Sequence, residues 1–547
     1  MFVRAKKRGN RTYLAIVRND RVDGKIKQTV LHWLGRLDIL EETGELDAML
    51  LSAQRFSKKV MVLSAHKRGE SMITRTTRIG PGLIFERLWR ILGIHKALAG
   101  LLAGRKFEFP VERAVFLTVV HRLFVSGSDR AAEKWKEGYA FEGTQKLALH
   151  HLYRAMAWLG EPLPKSRQQG ATLFAPRCVK DLIEEALFAA RRDLFTALDL
   201  VFFDTTSIYF EGEGGSLGRY GHSKDHRPDL KQMVVGVVMD NEGLPICSEM
   251  WPGNTTDVKT LVPVAERLRR KFNVRDVCIV ADRGMVSHKT VDELEAGSWD
   301  YIFGARMRRV KEVSVEVLGR GGRYEEVFPE SPNKKAPSPL KVKEVRVNGR
   351  RYIVCLNEDQ AEKDRRDREA IVESLRDALK HGDKSLIGNK GYRRYVSTAG
   401  KRFVIDADKV KREGRYDGKW VLMTNTDLPA REVALKYKQL WMVEEMFRSM
   451  KSLLETRPIY HNSDAAIRGH VFCSFLALLL RKELRDRLDA KGLSLEWADI
   501  ARDLDNLLEL EVSVNGKGYI IRNETKGTVG KVSQACGVAL PPTLRKC

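Results

Sequence analysis

Five apolar runs crowd into residues 199–305, and their spacing constrains the fold more than any other feature of this 547-residue chain. The first is Leu200, Val201, Phe202 and Phe203; the others cover 232–239, 244–250, 276–281 and 300–305. Asp240-Asn241-Glu242-Gly243 turns the second run into the third as a hairpin. Helical patterns at about 257–271 and 287–296 separate the third, fourth and fifth runs. The order is βββαβαβ. Hairpin neighbours pair antiparallel and helix-linked neighbours pair parallel, so the order predicts a mixed five-stranded α/β sheet with helices on its faces.

This is how an RNase H-like core begins. Its first part is expected over 191–304. The pattern then stops: 305–426 holds strand-like pieces at 313–318, 341–347, 351–356, 401–405 and 419–424, around a charged helix at about 359–381. Arg306, Arg308, Arg309, Lys311, Arg320 and Arg323 crowd its start, and Ser331 to Pro337 reads as a loop. A mainly β insertion fits. Helices resume at Pro429, and 427–495 is expected to complete the core. Upstream, 1–45 reads as a basic β-rich arm, with strand-like Thr12 to Val17 and Ile26 to Trp33 around an Asp23-Gly24 turn. Helical periodicity at 83–100, 111–125 and 144–159 predicts a helical domain over 46–190, serving DNA binding or dimerisation. Residues 496–547 are expected to be a C-terminal tail.

Charge narrows the partners. Lys and Arg number 96 against 72 Asp and Glu, a formal +24 with a pI near 9.7. Such a chain is drawn to polyanions, nucleic acid first. The seven cysteines have no CxxC spacing, which reads as free thiols in a reducing compartment. No apolar stretch follows the basic N-terminus, and the run Phe475 to Leu480 is far short of the ~20 residues a membrane helix needs. The expectation is a cytoplasmic, nucleoid-associated protein with no membrane partner.

Three acidic residues carry the chemistry. Asp204 ends the first apolar run as read from sequence, Asp282 follows the fourth, and Glu444 lies on a helix spanning 437–451. Phosphodiester cleavage by two Mg²⁺ ions needs a few carboxylates, because Mg²⁺ takes oxygen ligands and retains water. Asp204 and Asp282 at the ends of neighbouring parallel strands would lie side by side; Arg283-Gly284 adds a cation and a flexible residue. On the helix, Tyr437, Glu444, Arg448 and Lys451 share one face with Trp441 near it, so a carboxylate stands among phosphate-holding cations. An amphipathic helix with ordinary ion pairs also explains Glu444 and Arg448, but not the two aspartates. Glu445 is the rival acid, about 100° off that face. Lys231 and Arg227, with Lys224 and His226, form a basic loop that reads equally as a DNA-backbone clamp or a solvated turn. His222 and His226 lack a third ligand for zinc. Asn254-Thr255-Thr256-Asp257 reads first as a helix cap.

With these residues assembled, the chain resembles bacterial insertion-sequence transposases of the DDE type, in the branch with a Tyr-x2-Arg-x3-Glu-x6-Lys signature. Tyr437, Glu444 and Lys451 match that spacing; Leu440 stands at the arginine position, leaving Arg448 as the available substitute. Phe203–Thr206 and Ala281–Gly284 resemble the blocks of the first and second acids. Gly221 to Gln232, Arg351 to Cys355, Lys363 to Arg366 and Glu455 to His461 are similar to further family segments. The resemblance implies that Asp204, Asp282 and Glu444 hold two Mg²⁺ ions, with Mn²⁺ able to substitute. It implies double-stranded DNA partners, namely inverted-repeat ends and target, bound by a homodimer. It also implies the β insertion, from which an aromatic can hold a flipped base; Trp299 and Trp420 lie at its edges and read first as core residues. The competing readings are an RNase H-like nuclease and a non-catalytic DNA-binding derivative of a transposase; the latter predicts a lost acid, yet all three are present.

Overall fold

Apolar runs without alternation become strands buried on both faces, and the central strands here follow that rule. The structure, a computed structural model, describes every residue except 23–24, 55–56, 70–71, 170, 172–174, 192–197, 275–276, 329–338, 383–390, 400–401 and 515–516. The Asp23-Gly24 turn and the loop from Ser331 to Pro337 lie outside the described residues. Two compact units divide the chain: Met1–Gly80 with Trp497–Ser533 and Ala539–Cys547, and Pro81–Glu496 with Gln534–Val538.

In the first unit the basic arm is a three-stranded antiparallel sheet, Phe2–Arg8, Arg11–Val22 and Lys25–Arg36. The expected tail at 496–547 is instead folded. Leu508–Val514 pairs with Met72–Arg78 on one side and Lys517–Arg522 on the other, and Leu544–Lys546 completes four strands. The period-two order of Leu508, Leu510, Val512 and Val514 against Glu509 and Glu511 accounts for it. Val512, Val514, Tyr519 and Ile521 form a core there. The stretch expected to be helical from residue 46 accordingly includes a strand before its first long helix.

The main sheet of the second unit has nine strands among the described residues: β1 Leu200–Tyr209, β2 Gln232–Asp240, β3 Pro245–Pro252, β4 Cys278–Ala281, β5 Asp300–Gly304, β6 Glu325–Val327, β7 Leu340–Val347, β8 Arg350–Asn357 and β9 Lys419–Thr424. Their order is β6-β7-β8-β9-β5-β4-β1-β2-β3. The half β5-β4-β1-β2-β3 is the expected mixed five-stranded sheet: β1 pairs antiparallel with β2 and parallel with β4, and β4 pairs parallel with β5. Four insertion strands, β6 to β9, extend the same sheet, β9 lying antiparallel on β5 through Met423↔Phe303, while Val396–Ala399 and Arg402–Ile405 pair as a separate two-stranded sheet. The architecture is an RNase H-like core with β-rich insertions. Val201, Phe203, Trp251, Ile279, Tyr301, Phe303 and Val421 fill one continuous core. Trp299 is buried in it, and Trp420 packs against it partly buried.

Residues 313–318, read as strand-like, form a π-helical segment, Glu312–Val317. Val313 and Val317, four apart, are buried while Val315 between them is 56% exposed, so the valine alternation follows a helical face.

Helices α1 Gly80–Ile91, α2 Ile94–Leu102, α3 Val111–Phe124, α4 Asp129–Trp135, α5 Leu149–Leu159 and α6 Val179–Arg191 precede the sheet. Those following are α7 Leu261–Lys271, α8 His288–Ala296, α9 Glu358–Lys380, α10 Ala430–Lys438, α11 Trp441–Arg448 and α12 Asp464–Asp489. The packing of α12 against α5 needs glycine twice. A Cβ on Gly469 would lie 1.9 Å from the Met156 carbonyl oxygen, and one on Gly160 would lie 2.0 Å from that of Ala465.

A buried ionic cluster ties α6 to β3 and α7. Glu184 accepts from the Ser248 backbone N–H (3.0 Å) and hydroxyl (2.7 Å), and from the Arg267 guanidinium (2.7 Å). Lys180 donates to Asp181 (2.5 Å) and to the Ser248 carbonyl (2.6 Å). Removing one member leaves the others buried and underpaired. Glu184→Ala should therefore lose about 3–5 kcal/mol of stability in urea denaturation of the full chain. A loss below about 1 kcal/mol would show that the cluster relaxes or hydrates.

Candidate active site

The register of β1 against β4 sets the site. Their last parallel pair is Phe203↔Ala281, so Asp204 on β1 lies beside Asp282, the residue that follows β4. Asp204 is not a strand end, as the sequence reading had it. β1 runs on to Tyr209 because Thr205 to Ile208 keep pairing with β2, where Asp204 faces Val237. The β-favouring Thr205, Thr206 and Ile208 explain the extension. Asp204 thus lies where β1 outruns β4. Asp282 caps the short turn Arg283–Met285.

Both acids are held. The Thr205 N–H donates to Asp204 Oδ1 at 2.7 Å, and the Tyr437 hydroxyl donates to Asp282 Oδ1 at 3.2 Å. Burial, together with Asp282, holds the Tyr437 phenol above its ordinary range. A residue that the sequence offers first as a helix cap and second for the active site joins them: Thr205 Oγ1 donates to Asp257 Oδ1 at 2.8 Å. Lys224 Nζ lies 3.3 Å from Asp257 Oδ2 and donates to the Thr205 carbonyl at 2.7 Å. A Cβ built on Gly284 would be 3.7 Å from Asp282 Oδ2 and 3.8 Å from Asp257 Oδ2, so both carboxylates face the space beside this glycine.

The segment 437–451 is not one helix. α10 ends at Lys438, α11 starts at Trp441, and a π-helical turn covers Ser449–Leu453. Leu440 is buried at the break, which accounts for an apolar residue at the signature's arginine position. α11 packs on β1 through the face of Val443, Met446 and Phe447. Glu444 and Arg448 are exposed. Glu445 meets Arg485 of α12 at 3.3 Å, which turns it to a different neighbour. Lys451 Nζ donates to Asp225 Oδ1 at 2.9 Å. Of the loop cations, Lys231 is paired with Glu213, and Arg227 with Asp229 at 2.8 Å.

Arg283 is exposed beside Asp282, on an open cleft of about 1010 Å³ lined also by His222, Arg306, Arg308, Arg309 and Arg394. Arg306 buttresses the turn by donating to the Arg283 and Gly284 carbonyls, both at 3.0 Å. The arginine crowding after residue 305 was the sequence signal for this wall. Arg394, from the far side of the insertion, gave none.

Asp204, Asp282 and Glu444 are not gathered with ligand atoms within 4.8 Å of one another. Among the described residues, Asp129, His461 and His470 meet that spacing and could hold a metal ion. Arg122 already sits there, its Nη2 2.9 Å from His470 Nδ1 and 3.8 Å from Asp129. Burial and Arg122 push His470 well below its ordinary value, so the neutral ring accepts at Nδ1 and donates from Nε2 to the Thr456 carbonyl at 3.1 Å. An ion there would have to displace the guanidinium. The Asp204 region suits a divalent ion better, because the Asp204, Asp282 and Asp257 donors are all carboxylate oxygens. Burial, then Asp282 and Asp257, push Asp204 up to about 6, against Lys224 and the Thr205 N–H.

Family comparison then places the chain. Residues 196–480 match the model of the transposase DDE domain. The chain belongs to this transposase family. Residues 2–66 of the transposase also match the N-terminal domain of IS1634 family transposases. No curated protein matches the chain. Among solved structures it is similar to a piggyBac transposase synaptic complex with hairpin DNA, at 12% identity and a TM-score of 0.39, covering 78% of this chain and 79% of that one. A Mos1 transposase paired-end complex with the left transposon end is similar at 14% identity and a TM-score of 0.15, covering 36% and 60%. The transposase is an enzyme of the transposase and nuclease class, of insertion-sequence type. No helix among the described residues is long and apolar enough to cross a membrane.

The raised Asp204 carboxyl has a stability consequence. Its folded value exceeds the ordinary 3.8, so the folded chain holds the extra proton and stability falls as pH rises from about 4 through about 6. The cost at neutral pH is up to roughly 3 kcal/mol. Without divalent ions, Asp204→Asn should melt higher than the parent at neutral pH, and the gap should close as pH falls to about 4. A gap that does not vary with pH would mean the acid is well solvated.

Proposed function

We propose that the transposase hydrolyses phosphodiester bonds at the ends of a DNA element and joins the freed 3′-hydroxyls to target DNA. The observation that carries this reading is the side-by-side placement of Asp204 and Asp282, the second of which lines an arginine-rich cleft, inside the span that matches the DDE domain. Asp204, Asp282 and Glu444 would hold two Mg²⁺ ions, with Mn²⁺ able to substitute. Such ions, when bound, supply activation of the attacking oxygen and charge stabilisation at the leaving oxygen.

The protein's own part is positioning. Tyr437 fixes the orientation of Asp282, and the Thr205 N–H fixes that of Asp204. Glu444 stands exposed on a helix seated on β1, so its carboxylate is free to turn toward the strand acids. Glu445, held by Arg485, is the weaker choice for the third acid. Arg283, Arg309 and Arg394 would take backbone phosphates from the cleft, with Arg448 on the exposed face of α11, whereas Arg308 is paired with Glu413. Lys231 and Arg227 would first have to leave their local acids. Pairing of two ends by a homodimer is part of this reading.

The test uses the full chain, a duplex carrying the inverted repeats that flank the gene, and Mg²⁺. Asp204→Asn, Asp282→Asn and Glu444→Gln should each lower cleavage on the order of 10³-fold while duplex binding in a gel shift stays within about twofold. Full cleavage by Glu444→Gln would remove that residue from the mechanism. Nicking of any duplex, without preference for the ends, would favour a general nuclease over a transposase.

A further inference from the structure

Asp225 sits where a DNA phosphate could sit. Its side chain is 7% exposed, although it belongs to a loop whose neighbours at 226–229 are exposed. Oδ1 accepts from Lys451 Nζ at 2.9 Å and lies 3.5 Å from an Arg457 terminal nitrogen. The match is incomplete: Asp225 Oδ2 is buried with no partner, and so is Arg457 Nε. A carboxylate offers two oxygens in one plane. A phosphodiester offers a tetrahedral set and suits a guanidinium that presents both Nε and a terminal nitrogen.

The surroundings hold these groups in place. The Arg457 guanidinium lies over the Tyr209 ring, 5.4 Å from its centroid, at the end of the strand that carries Asp204. Lys451 follows Glu444 on the same α–π segment. On the loop, the Lys224 N–H donates to Ser207 Oγ at 2.7 Å, and its ammonium reaches Thr205 and Asp257. The next residue after Asp225, His226, has a positive φ of 57°, a conformation a histidine adopts at a cost. The chain thus spends backbone strain beside a carboxylate delivered to two cations.

We propose that Lys451 and Arg457 form a binding site for a DNA backbone phosphate, and that Asp225 fills this site as an internal phosphate mimic until DNA displaces it. The inference rests on the reading of the protein as a DNA-cleaving transposase and adds Arg457 and Asp225 to its DNA contacts. An arriving strand would exchange one anion for another at the same two cations. The apparent affinity would then be lower than the site's own by the cost of expelling Asp225.

The experiment measures binding of a fluorescein-labelled duplex of mixed sequence to the full chain by anisotropy, without divalent ions, over a range of KCl. Asp225→Asn keeps the shape and removes the charge; it should bind about tenfold more tightly. Arg457→Gln should bind more weakly and flatten the slope of log affinity against log salt by about one phosphate contact. In the double variant the gain from Asp225→Asn should shrink, because the two residues share one site. Unchanged affinity and slope in both single variants, with the parent still binding duplex, would overturn this proposal alone. A parent that binds no duplex would overturn the transposase reading itself. Melting of each variant checks folding; if Asp225→Asn does not fold, Asp225→Ser with the Arg457→Gln slope decides the matter in its place.

Discussion

Everything at the site depends on one register, the parallel pairing of β1 with β4. Phe203 opposite Ala281 makes Asp204 and Asp282 neighbours without any direct bond between them. A slip of one residue would turn every side chain of β1 to the other face of the sheet. The register is held by apolar residues on both sides, Val201 and Phe203 with Ile279 on one face among them, so it costs nothing in polar contacts. The two acids are then brought together by the core, against their own repulsion.

The core of the fold was legible because buried parallel strands leave unbroken apolar runs and the helices between them leave a 3.6-residue period. The five strands and the resumption at Pro429 came from that pattern. What failed were places where two periods fit one stretch. Val313, Val315 and Val317 alternate like a strand, yet the structure buries only the first and third. The strand at Leu508–Val514 had a clear period of two and a local hairpin partner at Lys517–Arg522 across Asn515-Gly516; only its other partner, more than 400 residues earlier, leaves no local trace. At the site, Asp204, Asp282, Tyr437 and Lys451 could be named from spacing. Asp257 could not be placed, since a Thr-Thr-Asp run before a helix has an ordinary capping role. The break at Leu440 was hidden by an apolar residue that suits a continuous helix as well as a buried junction.

Polar economy in the second unit follows two styles. Where charge serves the fold it is paired with opposite charge, as in the Lys180, Asp181, Glu184 and Arg267 cluster, although Arg267 Nε itself has no hydrogen-bond partner. Near β1 it is left short: Asp204 carries a raised carboxyl, Asp225 and Arg457 each keep an unpartnered atom, and Arg448 and Arg283 are exposed. The first style rigidifies and the second keeps binding capacity in reserve, at a cost in stability.

The insertion also bears on how far the chain can be shortened. Because β9 pairs with β5 along the edge of the catalytic sheet, the insertion is not a bead on a string that could be excised to leave a minimal enzyme. Its removal would bare the backbone of β5, a short buried strand of apolar residues, and an open strand of that kind recruits other chains. Any engineered truncation would therefore have to supply a replacement cap for that edge before it could stay in solution.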